Sequence, residues 1–128
     1  MRLLLLLIVI QSCSTPSRSP KDIIIGRWAF LRAERLGDYS QNDSNSIAEF
    51  NKTKQGSEIL FNKDGSFATA GSEESRLLPF KEGSYTISNN GKILALRPNE
   101  ELKITLNDSI LEINTPNNGI IIWHKISN

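Results

Sequence analysis

The sequence predicts an all-β protein, a small eight-stranded up-and-down antiparallel barrel. Three observations carry this. From Ile24 onward, apolar residues mostly recur at every second position, the period of a strand with one buried face. Turn-forming clusters interrupt the chain at hairpin spacing, with Asn62-Lys63-Asp64-Gly65, Asn89-Asn90-Gly91 and Thr115-Pro116-Asn117-Asn118-Gly119 the clearest. No long amphipathic helix separates the strands, which argues against parallel crossover units. Sequential hairpins favour a meander, and closing it removes the exposed edges.

The strands follow in order. Ile23 to Phe30 is the first strand-like run, with Trp28 and Phe30 on one face. Gly26 two residues before Trp28 suggests a chain entering a barrel and plugging its floor. Ile59 and Phe61 share a face of the second run, and Phe67 and Thr69 follow after the turn at Gly65. Tyr85 and Ile87 alternate with Ser84 and Thr86. Lys92 to Arg97 places Leu94 and Leu96 together, and Pro98 stops it. Leu102, Ile104 and Leu106 alternate with Lys103 and Thr105, then Leu111 and Ile113 flank Glu112. The last run, Ile120 to Ile126, is apolar on both faces as far as Trp123, so something must cover its second side. Trp123 is expected to be partly exposed.

Two segments break the rhythm. Glu34 to Gly56 is rich in Ser, Asn and Asp. Within it, Ser46 to Lys52 suits one or two helical turns, with Ser44 or Asn45 as N-cap and Ile47 and Phe50 on one side. Connections this long are often functional or disordered, so a lid and a mobile surface loop both stay open. Ala70 to Pro79 carries Glu73, Glu74 and Arg76 and reads as a solvated connection.

Ahead of the barrel, Leu3 to Ile10 is an unbroken apolar run of eight residues behind Met1-Arg2. As a helix it would extend roughly 12 Å against about 30 Å of hydrocarbon, too short for a spanning anchor. Residues 1–12 therefore read as a signal peptide. Ile10-Gln11-Ser12-Cys13 resembles the lipobox of bacterial lipoproteins, with Ile10 where that family prefers Leu and Gln11 where it prefers a small residue. The resemblance implies lipidation of Cys13, and several acyl chains on one cysteine make a stable membrane anchor. Residues 13–22 are small, polar and proline-punctuated, which predicts a flexible tether. The barrel domain is then 23–128. Outward-facing lipoproteins of the Bacteroidetes often carry acidic residues just after the cysteine. Their absence here favours an outer-membrane anchor facing the periplasm.

Composition excludes several chemistries. Net charge is +1, from 15 basic and 14 acidic residues, so no global field attracts nucleic acid. Cys13 is the only cysteine and His124 the only histidine, which leaves no Cys-His or multi-His metal site and no internal disulfide. No Gly-X-Ser-X-Gly elbow frames a serine. Glu73-Glu74 and Glu100-Glu101 read as solvated surface rather than an acid-base pair. The expectation is a non-enzymatic protein without metal or cofactor.

Gly26-Arg27-Trp28 resembles the Gly-X-Trp signature of lipocalins. The ordered series Leu60 to Phe67, Gly83 to Ile87, Leu94 to Leu96 and Leu111 to Ile113 is similar to the lipocalin-like lipoproteins of Bacteroidetes. The similarity runs from about Ile23 to Lys125, in a chain shorter than full-size lipocalins. It implies a basic residue packed on the signature tryptophan, a place taken by Lys125 or Arg27, and a first inter-strand loop that lids the mouth. Trp28, Phe61, Phe67, Tyr85 and Arg97 are the candidate ligand-binding residues, with Arg97 at the rim. Tyr39, Ile47 and Phe50 are the candidate underside of the lid. The ligand would be a small apolar molecule with any polar end at the mouth. The alternative is a filled barrel acting as an interaction module for a protein partner that the sequence does not name. An eight-strand barrel is just wide enough for either. Trp28, Phe61, Phe67, Tyr85, Leu96, Leu106 and Ile113 pointing inward would fill it. Ala68, Ala70 and Ala95 pointing inward would leave room.

Overall fold

The structure, a computed structural model, describes residues 18–78, 80–97 and 100–128. The expected signal peptide 1–12, the expected lipidation at Cys13, the rest of the expected tether as far as residue 17 and the strand stop expected at Pro98 lie outside the described residues. The chain forms the eight-stranded barrel that the alternation predicts. Its elements are α1 (Pro20–Ile23), β1 (Gly26–Arg35), α2 (Ser44–Lys54), β2 (Glu58–Phe61), β3 (Ser66–Ala70), β4 (Glu82–Ile87), β5 (Ile93–Leu96), β6 (Glu100–Leu106), β7 (Ile110–Asn114) and β8 (Ile120–Ser127). Every strand pairs antiparallel with the next, and β8 returns to β1 to close the barrel.

The turns behave as their residues dictate. Gly65 (φ 88°) closes the β2–β3 hairpin, where Asn62 N–H donates to the Ser66 carbonyl at 2.8 Å. Asp64 accepts from the Ser66 hydroxyl at 2.6 Å and from its N–H at 2.9 Å. Between β7 and β8 the left-handed residue is Asn118 (φ 63°), one of the few side chains that tolerates it.

Several local readings are corrected. Ile23 to Ile25 is not strand. Ser19 caps a helical turn by accepting from Asp22 N–H at 3.3 Å, Pro20 presets the first helical φ, and the Ile24 side chain is fully buried. The apolar run suits strand or helix equally, and burial against Trp28 selects the helix. Pro20 to Asp22, read as tether, is therefore part of α1. β1 in turn runs five residues past Phe30, with register shifts against β8. It outruns β2, whose pairing ends at Ala29. Beyond that point the Asn51 side-chain amide acts as a surrogate strand, accepting from Ala33 N–H at 2.7 Å and donating to its carbonyl at 3.4 Å.

Asn51 belongs to α2, which spans 11 residues rather than one or two turns. Its N-cap is Asp43, not Ser44 or Asn45. Asp43 accepts from Ser46 N–H at 2.9 Å and from its hydroxyl at 3.0 Å. Trp123 is buried, not partly exposed, at 1% relative accessibility. The Ala70–Pro79 connection is not simply solvated, since Ser75 is buried and Leu77 and Leu78 pack on the core, as does the neighbouring Phe80. Short apolar stretches in polar loops carry no period, so only the tertiary fold reveals that they turn inward.

Asp43 and Asp64 make an acid-limb prediction. Hydrogen bonds from Ser46 N–H and hydroxyl hold the Asp43 carboxyl below its ordinary 3.8, and those from the Ser66 hydroxyl and N–H do the same for Asp64. A depressed carboxylate contributes stability that is present above the unfolded value and lost as pH falls through the folded one. The double variant Asp43→Asn, Asp64→Asn keeps the hydrogen-bond acceptors without the charge. Its unfolding midpoint should fall less steeply than the wild type's below pH 4, measured by urea melts from pH 5 to 2. Parallel curves would refute this.

Candidate functional site

The barrel has two unlike ends. At one end lie α1, the β2–β3, β4–β5 and β6–β7 turns, and the C-terminus. At the other lie the β1–β2 connection with α2, the β3–β4 connection, Arg97 and the β7–β8 turn.

The first end is closed. Trp28 is fully buried, and its Nε1 donates to the Ile24 carbonyl at 2.8 Å. Lys125 Nζ stands 5.1 Å from the centre of the Trp28 ring and donates to the Ile23 carbonyl. The basic residue on Trp28 is thus Lys125, while Arg27 reaches Glu58 at 3.9 Å. Burial lowers the Lys125 pKa from its ordinary 10.5, Arg18 lowers it further, and Asp108 opposes the shift. Beside this plug, Phe61 meets Tyr85 edge-on at 4.9 Å and packs tilted against Phe67 at 6.5 Å. Tyr85 donates its hydroxyl to the Asn62 carbonyl at 2.8 Å, and burial, then the Asp64 charge, raises its pKa. Trp28, Phe61, Phe67 and Tyr85 therefore spend their surfaces on one another and on the floor.

The second end is roofed rather than plugged. Phe30 meets Trp123 at 6.0 Å and Phe50 of α2 at 6.4 Å, both edge-on. Lys54 fastens α2 to the β3–β4 connection by donating from Nζ to the Glu74 carbonyl at 2.6 Å and the Arg76 carbonyl at 3.5 Å. Beside the β3–β4 connection lies a recess of about 150 Å³. Its walls include Leu77 and Leu78 from the β3–β4 connection, Leu102, Ile113 and Ile121 from the strands, and Trp123. Glu100, Thr115 and Pro116 complete its lining. Trp123 Nε1 is buried with no hydrogen-bond partner among the described residues.

The candidate residues divide between these ends. Trp28, Phe61, Phe67 and Tyr85 sit at the closed end, away from the recess. Arg97 is exposed after β5, its N–H donating to the Ser84 carbonyl at 2.8 Å, and it does not line the recess. The charged residue there is Glu100. Of the lid residues, Phe50 packs on the core, Ile47 is half-buried, and Tyr39 is 91% exposed and no part of an underside. Sequence reasoning missed Leu77, Leu78 and Glu100 as lining residues and misplaced Trp123. The one signal was Ile120 to Trp123, apolar on both faces. Ile122 is buried on the outer face, between Arg32 and Glu112 in the pairing register.

Larger depressions of about 520 and 430 Å³ lie on the outside, one over β5 and β6 with Lys92 and Lys103, the other beside α1 with Lys21, Asp22 and Lys63. Charged side chains line both, with Tyr85 among the walls of the second, whereas the one charged residue lining the recess among the described residues is Glu100. His124 pairs with Ala29 and Ile110 on the outer face, opposite Trp123. Among the described residues, no three of His, Cys, Asp or Glu gather as metal ligands would. Against known proteins, no family model and no curated protein matches the chain.

Proposed function

We propose that this protein is a non-enzymatic envelope lipoprotein, a lipocalin-like barrel held on the periplasmic side by lipid on Cys13, which binds a small apolar ligand at its mouth. The single observation that carries the binding reading is the mainly apolar recess beside the β3–β4 connection. Its size sets the ligand. A cavity of about 150 Å³ holds a body the size of benzene, and pockets for drug-sized molecules run about 300–1,000 Å³. A long acyl chain threading the barrel axis does not fit this reading, because Phe61, Phe67 and Tyr85 fill the lower half. The same filling favours a second reading, in which the barrel is a solid scaffold whose outer face docks a partner.

The test is native mass spectrometry of the protein purified from its own membrane fraction, beside Cys13→Ser. The expected wild-type species begins at Cys13, carries acyl mass and retains a small ligand. Cys13→Ser should leave the membrane and lose the acyl mass while staying folded. Equal membrane retention of the two forms would remove the lipoprotein reading. A ligand-free wild type carrying a stoichiometric protein would favour the scaffold.

A further inference from the structure

We propose that the closed end is the surface this protein lays against the bilayer, and that the two lysine-lined depressions beside the β4–β5 turn seat the phosphate headgroups of anionic phospholipid. This rests on the reading of Cys13 as the lipid anchor and goes beyond it in naming the docking face and the lipid it selects. The chain enters at that end. Cys13 stands five residues before Arg18, a span of at most about 18 Å, and α1 begins two residues later at Pro20. An anchor on Cys13 therefore holds the closed end nearer the headgroups than the mouth. Charge complements position. Lys92 and Lys103 line the depression of about 520 Å³, Lys21 and Lys63 line that of about 430 Å³, and Asp22 is the one carboxylate in either lining. Asp22 is turned to Ser19, whose hydroxyl donates to it at 2.9 Å. All four lysines are exposed, and among the described residues none of them is in a salt bridge. Lysine ammonium groups bind phosphate as point charges. The β4–β5 turn joins the two depressions, and α1 reaches that turn, since a Cβ on Gly91 would stand 2.9 Å from Pro20 Cγ. Asp64 and Asp108 sit on the neighbouring turns outside both linings, which confines the positive surface to this edge. Apolar side chains accompany the cations. Ile25 and Ile87 line one depression and Ile93 and Leu106 the other, while Ile126 of β8 stands 47% exposed at the same end. Cations beside apolar side chains suit the boundary between headgroups and acyl chains.

The experiment places the ¹⁵N-labelled protein, purified from its own membrane fraction, in phosphatidylcholine bicelles with or without phosphatidylglycerol. Each preparation is doped with a lipid carrying a nitroxide headgroup and followed by NMR. Proximity of α1 follows from the tether alone, so the deciding amides are those of Lys63, Lys92 and Lys103. They should relax strongly only when phosphatidylglycerol is present, with the amides of α2 unaffected. Lys63→Gln and Lys92→Gln should each weaken the phosphatidylglycerol-dependent contact about fivefold, the usual contribution of one lysine near an anionic surface. Salt at about 1 M, where the screening length is about 3 Å, should abolish it. Lys52→Gln on α2, an exposed lysine at the other end, should leave it unchanged. Relaxation of α2 in place of the three deciding amides, or equal relaxation with and without phosphatidylglycerol, would overturn the docking face and leave the anchor standing. The anchor is read separately, as acyl mass on Cys13 in the same sample by mass spectrometry. Absence of that mass would remove the anchor, and the proposal with it.

Discussion

Trp28→Ala should cost about 3–5 kcal/mol, the usual range for truncating a core aromatic. A domain's total stability is about 5–15 kcal/mol, so a largely unfolded population at 37 °C is a realistic outcome. The substitution removes three things together. The indole volume that seals the barrel floor is lost. The Ile24 carbonyl loses its donor at 2.8 Å. Lys125, already disfavoured by burial, loses the ring beneath it at 5.1 Å. Trp123→Ala should cost less. Burial does not order the two, since both are essentially inaccessible at 0% and 1%. Polar contacts do, because the Trp123 indole gives up no hydrogen bond and already adjoins a recess. Urea melts of both variants test this, and the reverse order would show that the closed end is not where stability concentrates. Trp28→Phe isolates the hydrogen bond and the lost ring volume, and should fall between wild type and Trp28→Ala.

Gly26→Ala is expected to be nearly as damaging, at about 2–6 kcal/mol, from backbone strain and overpacking together. Gly26 has φ 131°, a conformation that residues with a Cβ rarely adopt. An added Cβ would also press into the Ser127 carbonyl oxygen and lie 3.2 Å from Asn128 Cα, where β8 passes on its way out of the barrel. The strain is conformational and the contact is backbone, so neither relaxes by rotating a side chain. Gly56→Ala is the control. Its φ is 86°, yet a Cβ there would meet nothing within 4 Å. It should show only the conformational cost, about 1 kcal/mol. Equal losses at the two glycines, measured by denaturant melts, would mean that the approach to Ser127 contributes nothing.

The barrel itself was legible in the sequence, because each piece of that inference is local. Alternation along Leu102-Lys103-Ile104-Thr105-Leu106 assigns one face to the core whatever the partner strand is. The Asp64-Gly65 and Asn90-Gly91 pairs make turns because glycine reaches positive φ, and that too needs no neighbours. Trp28 as the floor, with a basic residue upon it, followed from the Gly-X-Trp resemblance and a face assignment. Periodicity, however, reports which face a side chain takes and is silent on its height along the barrel axis. Height is fixed by register and closure, through pairings such as Trp28 with Lys125 and Phe30 with Trp123. For that reason Phe61, Phe67 and Tyr85 were identified as interior but not as residents of the closed end. Leu77 and Leu78 gave no signal at all in a polar connection, and Ile24 gave an ambiguous one. The sequence by itself determined the strands, the turns and the inward faces, which depend on neighbours in the chain. Only the tertiary structure decided which end is filled, which end keeps a recess, and that Trp123 is buried there, because those depend on segments far apart in sequence meeting at one height.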